Sequence, residues 1–122
     1  AILEGVAFGV RGTLADFAEN GCAVKSLKVI GGAAKSALWT ELIGDITNTP
    51  VELMQEPDAC ALGAAVIAAI GAGKFANYRA ATDAMVRRAR VLEPDAARAD
   101  CYAAKYERFC ALWENMEPYY RG

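Results

Sequence analysis

A chain of 122 residues is long enough for one small domain with its own core. Its composition, 55% hydrophobic and 23% charged, excludes a disordered chain. A net charge of −2 gives no electrostatic ground for binding nucleic acid, and no apolar run reaches the ~18 residues that cross a bilayer.

The first predicted element is a helix over Ile2 to Glu19, in which Ile2, Val6, Val10, Leu14 and Phe17 form one apolar stripe. Asn20-Gly21 ends it. Gly5 and Gly9 lie on one face and read either as the close approach of a neighbouring element or as simple tolerance. Leu27 to Ile30 reads as a short strand, followed at once by Gly31-Gly32. A second helix runs from about Ser36 to Asn48 with Leu38, Leu42, Ile43 and Ile46 inward, and Thr49-Pro50 stops it. Val51 to Met54 is a second strand. Glu56-Pro57-Asp58 is a turn, with Asp58 placed to cap a helix over Ala59 to Ala69. Gly71, Ala72 and Gly73 close that helix.

Phe75 to Tyr78 reads as a loop, Arg79 to Arg88 as a helix, and Ala89 to Leu92 as extended. Arg87, Arg88 and Arg90 form a short basic run that reads as a solvated helix end. Pro94 suits the first turn of a final helix, which carries Tyr102, Tyr106, Phe109, Leu112 and Trp113 to about Met116 and ends at Pro118. Strands alternating with helices predict an α/β layer of parallel strands packed with helices and a helical C-terminal tail. Two strands are too few for a sheet of their own. An unpaired edge and exposed apolar surface are therefore expected, with marginal stability or self-association. A homodimer is one partner such a surface allows.

The cysteines Cys22, Cys60, Cys101 and Cys110 form no CxxC pair, and the chain has no histidine. No metal site and no Ser-His or Cys-His nucleophile pair is expected. The thiols read as reduced and mostly buried, as in a cytosolic protein. The chain begins Ala1-Ile2-Leu3-Glu4 without Met or a basic leader, as a fragment or processed chain would.

The stretch Val29-Ile30-Gly31-Gly32-Ala33-Ala34-Lys35-Ser36 carries the chemistry. A strand ends, two glycines turn the chain, and a helix begins. Ligands of α/β proteins bind beyond the carboxyl ends of strands. Glycine lets a flat base or a phosphate lie against backbone, and the helix start offers free N–H groups. Ser36 supplies a hydroxyl for a base edge or for a cap. By itself Gly-Gly after a strand also reads as a plain tight turn, and no Walker loop or GxGxxG is present.

Taken in order, these pieces resemble the C-terminal domain of the FGGY carbohydrate kinases, within the actin–hexokinase superfamily. Ala1 to Phe8 is similar to the helix after that family's second signature. Gly31-Gly32-Ala33-Ala34-Lys35-Ser36, with Trp39 beyond, resembles its adenosine motif. Pro50-Val51-Glu52-Leu53 resembles the next strand, and Ala61-Leu62-Gly63-Ala64-Ala65 the helix after it. Within the family, the Tyr-containing final helix is most similar to xylulose kinases. Two positions depart from the pattern: Ala33 replaces a third glycine, and Asp58 stands where Glu or Gly is usual.

The resemblance implies a fragment of a ribonuclease-H-like (actin-like ATPase) domain. Residues 1–122 would be the C-terminal part of the nucleotide-binding domain, and the sugar-binding N-terminal domain would lie outside the chain. It implies ATP and Mg²⁺ as cofactors, the metal held mainly through the nucleotide and the rest of the protein, and a cytoplasmic sugar kinase acting on xylulose. Gly31 and Gly32 would line the adenine and ribose site and Ser36 would meet the base edge. No catalytic residue is expected here, since the family's base is an Asp upstream. The competing readings are a nucleotide-binding regulatory or interaction module without phosphoryl transfer, and a structural domain in which Gly31-Gly32 is only a turn.

Overall fold

The computed structural model describes residues 1–120. Helix α1 (Ile2–Glu19) is followed by strand β1 (Leu27–Val29), a 3-10 turn (Ala33–Lys35), α2 (Ala37–Thr47), β2 (Val51–Met54), α3 (Ala59–Gly71), α4 (Tyr78–Met85), β3 (Arg88–Leu92) and α5 (Ala96–Tyr120). β1 and β2 pair in parallel, Leu27 opposite Val51 and Val29 opposite Leu53. Parallel neighbours need a crossover, and the 3-10 turn with α2 supplies it. β3 pairs antiparallel to the other side of β2, with Val51 opposite Leu92 and an irregularity between Leu53 and Met54.

The core lies between the sheet and the layer of α1, α2 and α5. Ala7, Phe8, Ile43, Ile46, Val51 and Leu53 fill it, and Leu27, Val29, Trp39 and Leu92 close its edges. Strand alternation explains the choice: Val51 and Leu53 point into this layer, while Lys28, Ile30 and Met54 line a cleft facing α3 and α4. Phe8 meets three rings of α5, at centroid distances of 6.2 Å to Tyr102, 5.9 Å to Tyr106 and 5.3 Å to Phe109. Each such pair adds about 0.5–1.5 kcal/mol beyond area burial. Arg11 lies over the Tyr106 ring at 4.6 Å and donates to the carbonyl of Ile46 at 3.0 Å, joining α1, α2 and α5.

Several expectations need correction. The sheet has three strands, and the third is antiparallel. Arg88 and Arg90 sit on this edge strand, where charge blunts further pairing. The fourth helix runs from Tyr78 to Met85 rather than Arg79 to Arg88. Sheet pairing overrides helix propensity beyond Val86, and the Gln55 amide reaches the Arg87 carbonyl at 2.9 Å. The strand expected to reach Ile30 ends at Val29. The final helix passes through Pro118 instead of ending there, because a missing N–H in the last turn removes only one bond.

The predicted stripe of α1 is not its buried face: Ile2 is 86% exposed, and Val6 and Phe17 about half. Ala7 and Phe8 are buried instead, on the side where α2 packs and where the rings of α5 meet Phe8. In α2, Leu38 points outward while Thr40 and Asp45 are buried. A Cβ at Gly5 or Gly9 would meet nothing within 4 Å, so no element approaches them. Cys22, Cys60 and Cys101 are exposed and Cys110 half-buried, all free. They lie in a loop or on outward helix faces rather than in the core.

No described helix is long and apolar enough to cross a membrane.

Candidate functional site

After β1 the chain leaves the sheet at Ile30 and turns at Gly31, whose φ of +69° is left-handed. An L side chain there costs roughly 1–2 kcal/mol, so the turn itself demands glycine. Gly32 is different. Its φ of −60° and ψ of −36° are ordinary right-handed helical values that any residue adopts, and a Cβ would meet no protein atom within 4 Å. Nothing inside this chain requires glycine at 32, whereas a molecule lying against the backbone would.

The 3-10 turn then brings the chain to Ser36, which is extended at φ −106°, ψ 112°, as N-cap residues are. Its Oγ accepts from the Trp39 amide at 3.3 Å. The neighbouring helix is capped in the same way: Asp58 Oδ1 accepts from the Ala61 amide at 3.0 Å, as the sequence predicts. The two loops are joined by one short bond, from the Gly31 amide to the Pro57 carbonyl at 2.7 Å. The Asp58 amide is held in turn by Glu56 Oε1 at 2.9 Å.

This junction frames an open cleft of about 240 Å³, lined by Ile30, Gly31, Gly32, Lys35, Asp58 and the first turn of α3 including Cys60. Complete small-molecule sites span about 300–1,000 Å³, so the cleft takes part of a ligand. Of the predicted site residues, Gly31 and Gly32 line it. Ser36 stands just beyond it, with its hydroxyl accepting a helix amide and its own proton free to donate. Lys35, Asp58 and Cys60 join the site although sequence reasoning assigned them no contact. The signal for Asp58 was present in its capping position; that for Lys35 lay in its place inside the motif.

The ion pairs lie elsewhere. Asp45 of α2 meets Arg98 at 3.2 Å and Glu52 meets Arg88 at 3.8 Å. Among the described residues no three His, Cys, Asp or Glu side chains converge as metal ligands.

Comparison with known proteins identifies the family. Residues 1–72 match the family model for the FGGY family of carbohydrate kinases, C-terminal domain. The xylulose kinase of Bacillus subtilis (strain 168) is 32% identical over 116 residues, 95% of this chain and 22% of that protein. The L-xylulose/3-keto-L-gulonate kinase of Escherichia coli (strain K12) is 33% identical over 109 residues, 89% of this chain and 22% of that protein. The crystal structure of xylulose kinase from Rhodospirillum rubrum superposes with a TM-score of 0.78 at 33% identity, covering all of this chain and 25% of that one. The chain thus spans about a quarter of the length of the relatives it matches. Its fold is a segment of the actin-like ATPase fold of these sugar kinases, and the chain belongs to the FGGY family of carbohydrate kinases.

Proposed function

We propose that this chain is the adenosine-binding part of a cytoplasmic, ATP-dependent sugar kinase, and that the full-length protein converts D-xylulose to xylulose 5-phosphate. The observation that carries the reading is Gly32. It lines a cleft at the carboxyl end of a parallel strand, in a conformation and an open space that do not themselves require glycine. Names of relatives support the sugar: the proteins it matches include the xylulose kinases of Bacillus subtilis and Rhodospirillum rubrum.

In this reading residues 1–122 are the C-terminal part of the nucleotide-binding domain, and the sugar sits on the part of the protein outside this chain. Gly31 and Gly32 let the adenosine lie flat on the loop, and Ser36 donates its hydroxyl proton to the base edge while keeping its cap. Lys35 brings positive charge to the phosphate side. Mg²⁺, arriving with ATP, would neutralise phosphate charge. The chain's own task is to hold and orient the nucleotide, which lowers the barrier by positioning. In the transfer itself a sugar hydroxyl oxygen bonds to the γ-phosphorus as the bridge to ADP breaks. A carboxylate outside this chain accepts the hydroxyl proton.

The test uses the full-length protein with ATP, Mg²⁺ and a panel of pentoses and hexoses. ADP release dependent on D-xylulose is the expected result. Nucleotide binding with no sugar-dependent turnover would overturn the kinase reading.

A further inference from the structure

We infer that Asp58 receives the ribose hydroxyls of the bound nucleotide and sets the direction in which the nucleotide lies. The inference rests on the nucleotide reading above and assigns Asp58 a role within that site. The cleft carries opposite charges on its lining: the Lys35 ammonium from the 3-10 turn and the Asp58 carboxylate from the head of α3. A di- or triphosphate is attracted to the first and repelled by the second. The phosphates therefore lie on the Lys35 side, and the uncharged sugar falls to Asp58.

The carboxylate is suited to a diol. Oδ1 is committed to the Ala61 amide at 3.0 Å. Oδ2 has no hydrogen bond or ion pair among the described residues. A carboxylate oxygen only accepts, and a ribose offers two adjacent hydroxyl donors; such charge-assisted bonds are the strong ones.

Asp58 is also held in place before any ligand arrives. Its amide bonds Glu56 Oε1 at 2.9 Å, and the preceding carbonyl, of Pro57, takes the Gly31 amide at 2.7 Å. Asp58 directly follows the residue whose carbonyl accepts the backbone bond from the glycine loop. Glycine loop and carboxylate thus form one preorganised unit, and little ordering remains to be done on binding.

The experiment measures binding of ADP and 2′,3′-dideoxy-ADP to the full-length protein by calorimetry, for the wild type and for Asp58→Ser. Serine caps a helix about as well as aspartate, so α3 is retained, and a melting curve checks this. The wild type should prefer ADP about tenfold or more over the dideoxy analogue. Asp58→Ser should bind the two alike, with the affinity for dideoxy-ADP unchanged. Equal wild-type affinity for ADP and the analogue overturns the inference and leaves the nucleotide site standing. Equal weakening of both ligands in Asp58→Ser also overturns it, since that marks a structural role. If wild type binds neither, the nucleotide reading falls and this inference with it. Should Asp58→Ser melt, Asp58→Asn keeps shape and cap, and the wild-type comparison needs no variant.

Discussion

The Gly31 amide and the Pro57 carbonyl are joined by a hydrogen bond of 2.7 Å, so the loop after β1 and the turn before α3 behave as one unit. Both walls of the candidate cleft hang on this bond. The two adjacent glycines of the loop then differ in role: Gly31 makes the turn, and Gly32 leaves space.

That difference predicts opposite signatures for two substitutions in the full-length protein. Gly31→Ala places a Cβ at φ +69° and should cost roughly 1–2 kcal/mol of stability whatever is bound. For Gly32→Val the backbone conformation is unstrained and the added Cβ meets no protein atom within 4 Å. The substitution should leave the melting temperature within about a degree or two, allowing only a few tenths of a kcal/mol for helical propensity. Its effect should fall on ADP affinity instead, weakened about 30-fold or more, which corresponds to about 2 kcal/mol. If Gly32→Val binds ADP like wild type, Gly31-Gly32 is only a turn.

Ser36→Ala removes the acceptor of the Trp39 amide and should cost about 1 kcal/mol as a lost cap. Ser36→Asp restores the acceptor and should recover the melting temperature. If the hydroxyl proton also meets the base edge, Ser36→Asp stays weak for ADP while melting like wild type. Recovery of both properties together would assign Ser36 to capping alone.

Much of the site was readable because local chemistry dictates it. A cap residue and a strand-to-helix turn act within a few residues, so Ser36 and Asp58 cap their helices where the sequence puts them and the chain turns at Gly31-Gly32, although the left-handed φ falls on Gly31 alone. Long-range choices were less legible. The stripe Ile2-Val6-Val10 is a sound helical pattern, yet the face that is buried is decided by α2 and by the rings of α5, both distant along the chain. Likewise β3 carries two arginines and little alternation; only pairing with β2 makes it a strand. Lys35 and Cys60 became cleft residues through the Gly31–Pro57 bond, a tertiary contact that no spacing announces.

The 122-residue chain expressed alone should show no sugar-dependent ADP release, since the proposed base and sugar site lie outside it. It should also self-associate. Ile2, Val6 and Phe17 of α1, Ile67 of α3 and Leu112 of α5 are each about half exposed or more, and one edge of β1 is unpaired in the sheet. Sedimentation at several concentrations checks this; a monomer at all of them would count against it.

Alkaline pH should loosen the α1–α5 seam. Burial raises the Tyr106 pKa above its ordinary value, with the Cys110 thiol adding to this and Arg11 partly opposing it. Burial likewise raises Tyr102. A raised pKa favours the neutral phenol in the folded state. Its contribution is intact below the unfolded value of about 10 and is lost as pH rises through the higher folded value. Tyr106→Phe cannot ionise in either state, so its stability should fall less steeply above pH ~10. Parallel curves for the two proteins would remove Tyr106 from the titration.

The last prediction concerns how α5 is anchored. Asp45, 4% exposed in α2, accepts from the Asp95 amide at 2.8 Å and from Arg98 Nη1 at 3.2 Å. Asp95 Oδ1 in turn caps the Arg98 amide at 3.0 Å. The carboxylate thus holds the backbone and the first basic side chain at the head of α5. Arg98 is more than half exposed, so water screens its charge, and the ion pair should contribute less than about 1 kcal/mol. The backbone bond matters more, because losing it leaves a partly buried N–H without its acceptor. Asp45→Asn keeps an acceptor for that N–H and should cost about 1 kcal/mol, whereas Asp45→Ala should cost about 2–3 kcal/mol. Arg98→Ala should resemble Asp45→Asn. Urea titration of the full-length variants ranks the costs, and hydrogen exchange locates them: Asp45→Ala should speed exchange in the first turns of α5 before any other element. Equal costs for Asp45→Asn and Asp45→Ala would mean that the ion pair, not the backbone bond, anchors the helix.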